Sequence, residues 1–174
     1  MASTIRQAKI TPYATFLPNE RVASAEVYQG AFERHHRRIY TLAFWMTDNE
    51  MTAEGLMRNV FCRAFAQGAD PSAEVIDQAL MTELRELMPL GGLTLDEGTC
   101  VEATAIRRSV LRVHLERAVM QLPATERLIF LLHDAESYDH ARIARMLGLC
   151  EDESRYGLHQ ARLRIRGLLS EMIR

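Results

Sequence analysis

Lysine is nearly absent from this chain of 174 residues: Lys9 is the only one among 21 basic side chains. The formal net charge is −2. An acidic balance argues against broad, non-specific affinity for nucleic acid, while leaving room for a local basic face. Cysteine is scarce as well. Cys62, Cys100 and Cys150 are odd in number and far apart, so they suggest no disulfide framework. The six histidines include the pair His35–His36, but no Cys/His set has zinc-site spacing, and no metal is expected. No apolar run approaches the roughly 20 residues that cross a bilayer. The stretch from Met1 to Phe16 has no continuous apolar core of signal-peptide type. The expectation is a cytoplasmic protein without a membrane partner. There is no glycine-rich phosphate loop, nucleophile elbow or paired-carboxylate motif. Neither an enzyme nor a cofactor is expected.

What is present is helical periodicity. Hydrophobic residues make up 48% of the chain, enough for ordinary cores. The spacing predicts a loose arm over residues 1–23 and a long helix from about Ser24 to Met46, with Val27, Phe32, Ile39, Leu42, Ala43 and Met46 on one stripe. Arg34, Arg37 and Arg38 fall on the rest of its surface. Asp48 is a candidate cap for a second helix, Glu50 to Ala66, whose apolar face is Leu56, Val60, Phe61, Ala64 and Phe65. Asp70–Met88 predicts a third helix, packing by Val75, Ala79, Leu80, Leu84 and Leu87. Its charges (Asp70, Glu74, Asp77, Glu83 and Glu86 against Arg85) read as a solvated face. Residues 89–104, with Gly91, Gly92 and Gly98, read as a flexible linker. A further helix is expected from about Ala105 to Met120, with Ile106, Val110, Val113, Leu115 and Val119 apolar.

The stretch Gln121–Arg166 carries the most information. Pro123 suits a first helical position. Leu128, Ile129, Leu131 and Leu132 form an apolar block. Asp139 can cap the next helix, Ile143, Ala144 and Leu147 give that helix a face, and Gly148 stops it. The last helix begins near Glu151, with Leu158, Ala161, Ile165 and Leu168 facing inward. Two helices joined by a short glycine-containing turn make a helix-turn-helix signature. The fold class is therefore all-α, with small helical domains at 24–88 and 105–174.

LPATERLIFLLHDAESYDHARIARMLGL closely resembles the C-terminal promoter-binding region, region 4, of extracytoplasmic-function (ECF) sigma factors, with Pro123, Glu126, Arg127, Asp134, Glu136, Ile143, Ala144, Leu147 and Gly148 in order. Leu158, His159 and Ala161 continue the resemblance. FERHHRRIYTLAFWMTDNEMTAEGLMRNVFCRAF is similar to the family's region 2 helical hairpin. The resemblance implies core RNA polymerase, promoter DNA and an anti-sigma factor as partners. It implies polymerase contact through Glu54, Leu56, Arg58, Asn59 and Arg63. It also implies reading of the minus-thirty-five element by the helix from Glu151 to Arg166.

From Arg155 to Arg174 there are five arginines against Glu171, a formal +4 and the most basic stretch in the chain. The candidate DNA contacts are Arg155, Tyr156, His159, Arg162, Arg164 and Arg166. Three departures support an alternative. Gly55 stands at the family's usual acidic position, Asp70–Met88 has no aromatic for base stacking, and Glu151–Glu153 sets three carboxylates where DNA phosphates would come. On that alternative the chain is a sigma-like interaction module that binds an anti-sigma factor or another regulator without promoter recognition.

Overall fold

The computed structural model describes residues 18–68, 70–94 and 111–172, with side chains from residue 25 onward. Seven α-helices and no strand occur among these residues. The expectations for residues 1–17, for 95–104 of the linker and for Ile106 and Val110 lie outside them.

Helix α1, Pro18–Thr47, starts six residues earlier than its periodicity suggests. It is closed at its C-terminus by Thr47, whose Oγ1 donates to the Ala43 carbonyl at 2.8 Å. Asp48 then takes a left-handed φ of 52°, a conformation that Asp tolerates better than most residues. Asn49 is therefore the cap of α2, Glu50–Gln67, and accepts the Thr52 N–H at 2.8 Å. The expected cap at Asp48 is corrected by this turn. Ser72 caps α3, Ala73–Leu87. These three helices pack through Ile39, Leu42, Met46, Leu56, Val60, Phe61, Ile76, Leu80 and Leu84, all buried. Leu87 falls on the same stripe as the final residue of α3, but it is 53% exposed rather than packed.

The C-terminal half contains α4 (Arg112–Met120), α5 (Ala124–Phe130), α6 (His140–Leu147) and α7 (Glu151–Met172). Pro123 sits one position before α5, as its cap, not within the first turn. After Phe130 the backbone widens into a π-turn, Leu131–Ala135, closed by Glu136 N–H donating to the Leu131 carbonyl at 3.1 Å. Such widened turns cluster at functional sites. Asp139 caps α6 by accepting from Arg142 N–H at 2.7 Å. Gly148 ends it in the left-handed region, φ 74°, where glycine pays no Cβ penalty. Leu122, Leu128, Ile129, Leu132, Ile143, Leu147, Leu158, Ala161, Ile165 and Leu169 form the core of this half. Val113 and Leu115, expected inside, are 45% and 40% exposed.

The two halves touch. Asp77 of α3 is only 3% exposed, and Arg38 of α1 (2.7 Å) and Arg142 of α6 (2.6 Å) both pair with it. The Tyr138 hydroxyl donates to it at 3.1 Å and also accepts from Arg38. The Arg142 guanidinium lies 4.0 Å from the centre of the Tyr138 ring. Arg127 of α5 donates to the Trp45 and Met46 carbonyls at the end of α1, to the Met120 carbonyl at the end of α4 and to the Leu122 carbonyl beyond it. A cation suits helix C-termini, where unpaired carbonyls concentrate negative charge. Two expectations are corrected here. Asp77 and Glu83 are buried and do not belong to a solvated face, and Arg38 is in this interface and not on the open surface.

Residues 89–94 pack onto the C-terminal half. Thr94 donates its N–H to Glu126 Oε1 at 2.9 Å, and its hydroxyl bonds the same oxygen. Leu93 meets α7 at Gly157. A Cβ there would lie 2.6 Å from Ile129 Cδ1 and 2.9 Å from Leu93 Cδ2, so this buried helical position has no room for a side chain.

Candidate nucleic-acid interface

Helix α7 starts with a reciprocal cap in which cysteine replaces the usual serine or threonine. Glu153 accepts the Cys150 N–H at 2.7 Å, and Cys150 Sγ accepts the Glu153 N–H at 3.4 Å. Glu151 and Asp152 turn to Arg155, at 3.0 and 3.1 Å. The three carboxylates that look hostile to DNA in the sequence thus serve the start of the helix and hold its first arginine.

Arg155, His159, Arg162 and Arg166 follow at i, i+4, i+7 and i+11, and all four are exposed. That spacing aligns them along one face of a helix. Tyr156, 39% exposed, flanks the row. Arg164 is nearly opposite Arg155 by the same periodicity, and its Nη1 reaches Thr94 Oγ1 at 3.3 Å. Five of the six sequence-derived DNA candidates therefore share an exposed region, and Arg164 faces the chain that leads into the linker.

The π-turn adds residues that the sequence reading did not select. Arg162 grips Asp134 through Nε (3.1 Å) and Nη2 (2.6 Å). His133 Nδ1 lies 2.8 Å from Asp134 Oδ1. The rings of His133 and His140 stack, with centroids 4.7 Å apart and planes at 27°. His140 Nδ1 is 3.0 Å from Ser154 Oγ, a fully buried hydroxyl of α7. Burial lowers the His140 pKa from the ordinary histidine value, and His133, Arg155 and Arg162 push the same way against Glu151. Burial alone would raise the Asp134 carboxyl, but hydrogen bonds from Arg162 and His133 outweigh it and hold it low. The only sequence sign of this arrangement is the seven-residue separation of the two histidines across a predicted turn.

The candidate polymerase face is on α2. Glu54, Arg58 and Asn59 are exposed there. Leu56 is 3% exposed and belongs to the core, which corrects its place in the contact set: helical periodicity turns it toward α1 and α3. Arg63 pairs with Glu83 at 2.7 Å and Glu86 at 2.8 Å, joining α2 to α3. A groove of about 630 Å³ runs between α1 and α2, lined by His36, Arg37, Tyr40, Met51, Glu54, Gly55, Met57 and Arg58. A Cβ on Gly55 would meet nothing within 4 Å, so packing does not require glycine there. Among the described residues no group of His, Cys, Asp and Glu is arranged to hold a metal ion, and no helix is long and apolar enough to cross a membrane.

Residues 112–165, spanning α4 to most of α7, match the family model described as sigma-70, region 4. That family is a transcription-factor domain and not an enzyme. No curated protein matches the chain.

Proposed function

We propose that the protein is a sigma factor of the ECF type, on the premise that residues 112–165 match the sigma-70, region 4 family model. It binds core RNA polymerase and directs initiation at specific promoters from the cytoplasm. The observation that carries this reading is the exposed row Arg155, His159, Arg162 and Arg166 on the second helix of a helix-turn-helix. Such a helix enters the major groove and reads base edges near its N-terminus. Arg155 and Tyr156 would contact the minus-thirty-five element, and Arg162 and Arg166 would contact phosphates. Residues 24–88 would be the polymerase-binding domain, with Glu54, Arg58 and Asn59 beside the α1–α2 groove as its contact surface. An anti-sigma factor would act by covering one of these surfaces.

The test is a pull-down of bacterial core polymerase with the purified chain across a salt series, followed by in vitro transcription from promoters of its own genome. Association near physiological salt and a discrete start site support the reading. Neither, from a folded protein, defeats it. One observation favours a second reading: Glu151, Asp152 and Asp134 already hold Arg155 and Arg162. A sigma-like module that binds a regulator without touching DNA would keep those arginines paired. It would associate with an anti-sigma factor and show no DNA affinity under any condition.

A further inference from the structure

We propose that His133 and His140 form a phosphate-binding pair beside the recognition helix, whose protonation sets how strongly the helix-turn-helix grips the DNA backbone. The inference rests on the DNA-binding reading given above.

The argument is geometric and electrostatic. The two rings stack at 4.7 Å, at the junction of the π-turn, α6 and α7. Each Nδ1 is engaged within the protein, His133 with Asp134 (2.8 Å) and His140 with Ser154 (3.0 Å). Nε2 is the remaining nitrogen of each ring, and both side chains are only partly buried. The charged groups that face the pair are Asp134 from the π-turn and Glu151, Arg155 and Arg162 from α7. Asp139 and Glu153 are turned to backbone N–H groups at the starts of α6 and α7.

With both histidines neutral, these groups sum to a formal charge of zero, from Arg155 and Arg162 against Asp134 and Glu151. A phosphate approaching there meets cations that are already satisfied. Two protons on the imidazoles change the sum to a formal +2. His⁺ carries donors on both nitrogens, so each Nε2–H can then donate to a phosphate oxygen. Histidine is the side chain whose charge changes between about pH 5 and pH 8, and a neighbouring phosphate pulls that change toward neutrality. At His140 the burial and neighbouring cations that discourage protonation in the free protein are opposed by the bound anion, so binding takes up protons.

The experiment is fluorescence anisotropy with the full chain and a short rhodamine-labelled duplex of random sequence, because phosphate contacts need no particular promoter. Ionic strength is fixed while pH is lowered from about 7.5 to about 5.5. The expected result is a Kd that falls about tenfold or more, which is the effect of one pKa unit of coupling. The salt dependence should steepen by one to two phosphate contacts, each worth a slope of about 0.9. The double variant His133→Gln/His140→Asn, checked by circular dichroism, should bind with a nearly flat pH profile, whereas His35→Gln, on α1 and outside the helix-turn-helix, should keep the wild-type profile. Protonation of the surrounding carboxylates would tighten wild type and double variant alike, and equal tightening overturns the proposal. A wild-type Kd that does not move with pH also overturns it and leaves the DNA-binding reading intact. No binding at any pH removes both.

Discussion

Asp77→Ala should be among the most costly single substitutions in this chain. The carboxylate is buried to 3% and holds Arg38 at 2.7 Å, Arg142 at 2.6 Å and the Tyr138 hydroxyl at 3.1 Å. Removing one partner of a buried ion pair typically costs about 3–5 kcal/mol, because the charge left behind is uncompensated. Here two charges remain, but their side chains are 17% and 33% exposed and can turn partly toward water. That places the expected loss just below that range, at about 2–3 kcal/mol. Since the network joins α1 and α3 to α6, the loss should appear in the coupling of the two halves as well as in total stability. Urea unfolding followed by far-UV circular dichroism and by the fluorescence of Trp45, the only tryptophan, would measure it. In the wild type the two probes should report one transition. In the variant they should separate, with midpoints shifted down. A companion variant, Arg38→Met/Asp77→Leu/Arg142→Met, should regain most of the loss, because apolar replacement of a whole buried cluster is often neutral or better. A loss below about 1 kcal/mol for Asp77→Ala, with the probes still coincident, would refute the claim that this cluster couples the halves.

Three other outcomes follow from the same geometry. Gly157→Ala should destabilise by about 1–3 kcal/mol, as overpacking against Ile129 and Leu93 does in a closed core, while Gly55→Ala, with open space at its Cβ, should stabilise α2 by about 0.5–1 kcal/mol; thermal melts of both variants check the pair. Asp134→Asn combined with Glu151→Gln and Asp152→Asn should release Arg162 and Arg155, tighten duplex binding at neutral pH and steepen the salt slope by about 1–2; unchanged binding would mean that these carboxylates do not restrain the arginines. In the free protein the His140 pKa lies below its unfolded value, so unfolding takes up a proton once pH falls below about 6.5. The His140 contribution is then present above that pH and lost progressively below it. The melting temperature of wild type should therefore fall more steeply between about pH 7 and pH 5.5 than that of His140→Asn.

Much of this molecule was legible in its sequence because the information is local. The start at Asp139 depends on a side chain bonding a backbone group three residues on, and the stop at Gly148 on a left-handed backbone, while the cap expected at Asp48 belongs to Asn49, Pro123 sits one position before its helix, and the cap at Ser72 was not read from the sequence. The inward faces of α1, α2, α6 and α7 follow from a 3.6-residue period, which any stretch of chain displays by itself. The row Arg155, His159, Arg162 and Arg166 was visible for the same reason. Leu56 shows the limit of transferring a surface from resemblance, since the helix that bears it must bury that face to fold.

The sequence by itself determined an all-helical chain with a helix-turn-helix at its C-terminal end and an arginine-rich face on the last helix. Only the tertiary structure decided which charges are in solvent. Asp77, Arg38 and Arg142 are far apart in sequence and carry no periodic mark of their meeting, because opposite charges attract whatever their separation along the chain. The π-turn likewise gave no signal within its aliphatic block, yet it brings His133 against His140 and Asp134 against Arg162. Burial made the first group a joint between the two halves. Partial exposure left the second at the surface that would meet DNA.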